Sequence, residues 1–432
     1  MRRLFCGLLA VMLVVSLMPV VFAKEPDKVK ITFWDENAGP NRTPYYEELI
    51  KRFEQKNPGI DVEYVGLPWS NAKQKYDVAI AANETPDCGG VPDYFISDFV
   101  NKKALLPLDR YFNKWDAKTK LSRLSVDANR SIPKDHKLYQ LPNTTNMSIL
   151  WYRPDVLKAH GLSEPQTWDD FYKIIRETTD KNKNFYGFSI RGGSASANEW
   201  ESLMYGYSGI TSYFTKKGKC TINDPKNIEA LKRFSAIYKA YTAESDITNG
   251  YKEMVAAFDS GRVAMIQHNL GSYGEHIKTL GPGKFVACPY PKSLTGKRVL
   301  KGGQDNGYSI FRSSKHPEAA WKFISYLCSA EAQSYWNRNI GQLPTNSDVF
   351  KEDWVKESPH LVMAGKVAAA KDSIVIMPPM YLPNYATIQK QIGEPGFQEV
   401  LLGKKTPEDF LNEWAAALEK DKAEYDKSVN NK

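Results

Sequence analysis

The sequence predicts an α/β protein with parallel, doubly wound sheets, each flanked by helices. Three observations carry that prediction. Strand and helix patterns alternate early: a β-branched strand over 29–34, a helix from Thr43, a strand over 60–65 and a helix over 70–82. The stretch 141–157 runs from turn formers through Ile149, Leu150, Trp151 and Tyr152 to Pro154, which reads as loop, buried strand and helix start. The chain has 432 residues, 42% hydrophobic and 12% aromatic, enough for two or three cores and unlike a disordered composition.

Residues 1–23 stand apart. Arg2 and Arg3 precede an apolar run over 4–15, and Val21-Phe22-Ala23 leads into the charged Lys24. This is the layout of a secretory signal peptide, too short in its core for a membrane span, so cleavage is expected after Ala23 and the mature protein in the periplasm. Without Arg2 and Arg3, 56 basic residues face 50 acidic ones, a charge of +6. They are interspersed, and no basic block or nucleic-acid motif occurs, so a nucleic-acid partner is not expected. The mature chain keeps Cys88, Cys220, Cys288 and Cys328, with no C-x-x-C pair. An oxidising compartment allows three pairings of four cysteines, and buried free thiols fit equally well.

In the first helix Thr43 can cap, Pro44 takes the first turn, and Pro58-Gly59 ends it. In a doubly wound sheet ligands sit beyond the carboxyl ends of strands, where Asp35, Glu36, Asn37 and Pro68-Trp69 fall. A strand over 136–141 should feed the central stretch. Helices follow near Pro154 and over 168–179, 197–205, 225–241 and 251–259, with a short strand around Phe188. The apolar run 285–291 is expected to lead back to the first domain, and 404–426 is a charged amphipathic helix expected on the surface of its own domain.

The run Ser148-Ile149-Leu150-Trp151-Tyr152-Arg153-Pro154-Asp155, with Gly161-Leu162 and Thr167-Trp168-Asp169-Asp170-Phe171, resembles the signature region of the maltose-binding-protein-like extracellular solute-binding proteins, family 1. That family often has Asn where Arg153 stands. Thr85-Pro86-Asp87, Ala104-Leu105-Leu106-Pro107-Leu108-Asp109, Gly261-Arg262-Val263-Ala264-Met265, Gly302-Gly303-Gln304-Asp305 and Gly341-Gln342-Leu343-Pro344 resemble its further motifs in order, across 29–420. The resemblance implies a two-lobe periplasmic-binding-protein-like fold of class II, with three hinge crossings near residues 142, 290 and 342. The first lobe would take 24–141 and 292–341, the second 142–291 and 342–432. It also implies a monomer that binds a sugar or polyol in the interlobe cleft and hands it to the transmembrane subunits of an ABC importer. No cofactor is expected.

A neutral sugar asks for flat aromatic faces and for amides, carboxylates or guanidinium groups arrayed toward its hydroxyls. Trp34, Trp69, Trp200 and Tyr273 are the aromatic candidates at loop positions. Asn37, Asn146, His268, Gln304 and Asp305 are the polar ones, and Gly303 allows close backbone approach. The resemblance adds Tyr381 and Tyr385 from a late aromatic loop. Arg191 either holds an anionic group in the cleft or forms a structural ion pair. Two stacking faces of about 100 Å² each supply about 5 kcal/mol against the about 8 kcal/mol of micromolar binding, so polar contacts must add the remainder. Removing Trp200 or Asp305 is expected to weaken binding while sparing the fold.

The rival readings are a binding protein for another polar solute, such as a glycerol phosphate diester, and a secreted carbohydrate-active enzyme. Hydrolysis needs only two carboxylates at a set separation. No G-x-S-x-G, phosphate-loop, G-x-G-x-x-G or H-E-x-x-H pattern occurs, and the six histidines show no metal-ligand spacing. The protein is therefore expected not to be an enzyme and not to hold a metal.

Overall fold

The computed structural model describes residues 28–303 and 305–430. The predicted signal peptide, its cleavage point and Gln304 lie outside the described residues.

The chain opens with β1 (Val29–Asp35), β2 (Ile60–Gly66) and β3 (Cys88–Pro92), joined by the helices Thr43–Lys56 and Trp69–Ala82. β1 pairs with β2 over its full length in parallel, Val29 against Ile60 through Asp35 against Gly66, and with β3 on its other edge. β4 (Leu141–Thr145) joins this sheet, so the strand expected over 136–141 begins where that expectation ended. β5 (Ser148–Tyr152) already belongs to a second sheet, completed by β6 (Tyr186–Ser189), β7 (Val263–Asn269) and β8 (Val286–Cys288).

β9 (Arg298–Lys301) enters neither large sheet; it pairs in parallel with β12 (Ser373–Ile376) and packs against the helix Ser196–Ser208. The return to the first sheet therefore comes at 302–305, just before β10 (Asn306–Ile310), rather than near residue 290. β11 (Leu343–Pro344) still pairs with β4, and Ser347 donates its amide to the Lys120 carbonyl, so the third passage follows residue 347 rather than 342. The first sheet reads β11-β4-β10-β3-β1-β2 and the second β6-β7-β5-β8. Both are mixed rather than parallel throughout, because β10 runs against β3 and β4, and β5 against β7 and β8.

Each sheet is covered on both faces. Ile31 and Phe33 of β1 pack with Tyr46, Leu49 and Phe53 and with Phe323 and Trp336 of the later helices Pro317–Leu327 and Ala330–Ile340. In β5, Ile149 and Trp151 enter one core with Phe258 and Leu361, while Leu150 and Tyr152 enter another with Phe171 and Met204; that alternation is the pleat with apolar side chains on both faces. The helix Pro407–Asn430 closes the latter core through Phe410, Leu411, Trp414 and Leu418, so its inner face is more deeply buried than a surface helix requires.

Candidate ligand-binding cleft

Strand direction explains where the polar loops gather. β1, β2 and β3 run in parallel, so their carboxyl ends share one edge and deliver Asn37, Asn41 and Arg42, then Trp69, then Asp93 and Tyr94. β10 is antiparallel to β3, so its leading residues Gly303, Asp305 and Asn306 arrive at the same edge. In the second sheet β6 and β7 end together at Arg191 and at His268 and Asn269, and antiparallel β5 starts beside them just after Asn146. The first turn of the helix Ser196–Ser208 adds Asn198 and Glu199. Between the two edges lies a cavity of about 1070 Å³, counting the part open to solvent.

Seven of the expected residues line it: Asn37, Trp69, Asn146, Arg191, His268, Gly303 and Asp305. Gly303 has φ of +70°, and an added Cβ would meet Met380 Sδ at 2.7 Å, so the loop needs glycine. Five described candidates lie elsewhere. Trp34 packs on Tyr76 with ring centroids 5.3 Å apart. Trp200 is 1% exposed, wedged among Phe397, Phe410 and Trp414, so its removal would leave a cavity in that core rather than an emptied cleft contact. Tyr273 stacks on His360 at 3.8 Å. Tyr381 packs edge-on against Tyr425, and buried Tyr385 donates its hydroxyl to Glu201 at 3.0 Å.

Aromatic faces come instead from Tyr45, Tyr94 and Tyr251 beside Trp69, whose ring meets Tyr94 at 6.4 Å. Asn41, Arg42, Asp93, Glu199, Glu275, Asn306 and Gln342 are among the polar lining residues that sequence reasoning missed, with Lys278 and Asn339. For Asp93 the signal was its place right after a short strand.

Burial dominates the electrostatics. It pushes Asp93 up to about 8, with the Asp305 charge adding to it, and Asp305 up to about 6. Burial, reinforced by the nearby Arg191 charge, holds His268 well below the usual imidazole value and so neutral. Among the described residues Asn146 Oδ1 and His268 Nδ1 are buried without a hydrogen-bond partner. Such atoms are costly unless a guest satisfies them. Among the described residues no three His, Cys, Asp or Glu side chains come together in a metal-holding group.

A cleft between two α/β bodies, lined by flat rings, amides and carboxyls from both, defines a receptor for a small polar solute. The chain belongs to the bacterial extracellular solute-binding protein family, whose profile matches residues 39–334. A relative in Brucella abortus, named only as a binding protein, is 27% identical over 423 residues, covering 96% of this chain and 97% of that one. The multiple sugar-binding protein of Streptococcus mutans is 23% identical over 344 residues, covering 77% and 79%. Among solved structures, the ABC substrate-binding protein of Listeria monocytogenes in complex with cycloalternan superposes with a TM-score of 0.78 at 21% identity, covering 92% of this chain and all of that one. The two-lobe fold is therefore that of the family.

Proposed function

We propose that this protein captures a sugar or sugar oligomer between its two lobes and delivers it unaltered to an ABC importer. The observation that carries this reading is the joint lining of the cleft: Trp69, Tyr94 and Asp93 from one lobe face Arg191, Glu199, Tyr251 and His268 from the other. A solute touching both lobes favours the closed arrangement by its differential contacts, with the three passages acting as hinges. The sugar-binding name of the Streptococcus mutans relative and the cycloalternan in the Listeria monocytogenes structure support the solute class. Secretion to the periplasm by cleavage after Ala23, a monomeric state and docking on permease subunits belong to the same proposal. No chemical step on the sugar is part of it.

The test is to add mono- and oligosaccharides and polyols singly and follow the melting temperature. A ligand at 100 times its Kd stabilises by about 2.7 kcal/mol, so one chemical series should raise the melting point clearly. A flat response across all sugars, with a rise for a peptide or other non-sugar solute, overturns the reading.

A further inference from the structure

The charge balance of the cleft narrows the solute class; this inference rests on the sugar-binding reading. Arg191 is 8% exposed and lines the cavity, the setting of an anion receptor. Its charge is already matched. Nη1 stands 3.7 Å from Glu199 Oε1, and Nε donates to the Ser194 carbonyl at 2.7 Å. Glu199 is fixed in turn by Gln267, whose Nε2 donates to Oε2 at 3.2 Å and to the Glu199 carbonyl at 2.5 Å. Arg42, the other guanidinium on the lining, stands in the field of Asp35 and Glu36, and its Nε is buried without a hydrogen-bond partner among the described residues. Lys278 is exposed, and Lys301, behind the lining, is spent on Glu201 at 3.0 Å and the Asn198 side chain at 3.0 Å.

The cleft carboxyls are held by hydrogen bonds rather than by cations. Asp93 and Asp305 line the same cavity, and among the described residues neither forms an ion pair. Asn146 Oδ1 adds a buried acceptor and His268 Nδ1 a buried ring nitrogen, each without a partner among those residues. A carboxylate or phosphate group only accepts hydrogen bonds and brings negative charge, so it would meet an unpartnered amide oxygen, carboxyls whose charged form burial already disfavours, and guanidinium groups that already face carboxyls. Hydroxyl and ammonium groups donate and would satisfy those atoms.

We propose that the cleft takes neutral or amine-bearing sugars and rejects uronates and phosphate-bearing solutes, with the Arg191–Glu199 pair forming a neutral wall rather than an anion receptor. Arg191 is then a positioning residue for the Glu199 carboxylate.

The experiment compares neutral, 2-amino and uronate forms of the same di- and trisaccharides, together with a glycerophosphodiester, by calorimetry on the purified protein. The neutral or amino form should bind at least about tenfold more tightly than its uronate, and the phosphodiester should give no heat. Glu199→Gln frees the guanidinium and should narrow the neutral-to-uronate gap severalfold. Asp305→Asn, which removes a cleft carboxyl, should narrow it as well and serves if Glu199→Gln does not fold. A uronate or phosphodiester that binds the unaltered protein as tightly as the neutral sugar overturns the inference alone. So does a folded Glu199→Gln with an unchanged gap. Silence across every carbohydrate overturns the sugar reading, and this inference with it.

Discussion

Asp93 and Asp305 clasp each other across the first sheet's edge. The Asp305 amide donates to Asp93 Oδ2 at 3.2 Å, and the Asp93 amide donates to the Asp305 carbonyl at 3.4 Å. The clasp ties the end of β3 to the return passage at 302–305, so a cleft carboxyl and a passage between the lobes are held by one contact. The Tyr94 amide donates to Asp93 Oδ1 at 2.8 Å and fixes the same side chain from the other side.

This geometry gives stability a pH dependence with a definite sign. Burial first, then the Asp305 charge, raises Asp93 to about 8, and burial raises Asp305 to about 6. A raised carboxyl stabilises the fold in its protonated form. That contribution is complete below the unfolded value of about 3.9 and is lost as pH climbs through about 6 and then about 8. Glu36 and Asp246, each raised to about 7 mainly by burial, act in the same direction. The melting temperature of the free protein should fall from pH 5 to pH 8.5, and Asp93→Asn should flatten part of that fall. Parallel profiles for the two proteins would contradict this assignment.

Trp200→Ala should act on stability, not on binding alone. The ring is enclosed by Phe397, Phe410 and Trp414, so its loss should cost about 3–5 kcal/mol, read as a lowered denaturant midpoint. Unchanged stability with lost sugar affinity would place Trp200 in the cleft after all.

Trp69→Ala should do the opposite. Trp69 is half-buried at the cleft rim, and one stacking face of about 100 Å² corresponds to about 2.5 kcal/mol, so affinity should drop about tenfold or more. The denaturant midpoint should stay within about 1 kcal/mol of the unaltered protein's stability. An unaffected affinity would show that this ring does not touch the guest.

Cys88, Cys220, Cys288 and Cys328 are all buried and free. Burial raises each thiol above its ordinary value, which leaves little reactive thiolate. A colourless disulfide reagent such as a dithiobis-nitrobenzoate should therefore label none of these four in the native protein and all four after denaturation. Fewer than four in the denatured, unreduced protein would reveal a bridge.

The sequence showed the fold where the signal is local. Pro44 and Pro58-Gly59 bracket the first helix, found at Thr43–Lys56, and the apolar run before Pro154 is β5. The pairing of β9 with β12 joins residues some seventy positions apart, and no local pattern announces it. That pairing moved the return passage from 290 to 302–305. Strand-end logic found Asn37 and Trp69, because parallel strands bring their carboxyl ends to one edge, while the same logic misplaced Trp34, which packs on Tyr76. It failed for Trp200 because an aromatic after a glycine-rich loop reads alike whether it faces a cleft or a core. The spacing of Trp200, Leu203, Met204 and Tyr207 was the available warning, since it marks a face buried against other helices.

Reversible capture between two lobes is the central proposal. The measurement that tests it most directly is calorimetry with the sugar that raises the melting temperature, followed by chromatography of the sugar recovered from the protein. One site per chain, with a Kd of about 1 μM or tighter and the sugar recovered intact, is the predicted result. Saturation at another ratio, or shorter sugars accumulating in the recovered material, would contradict it.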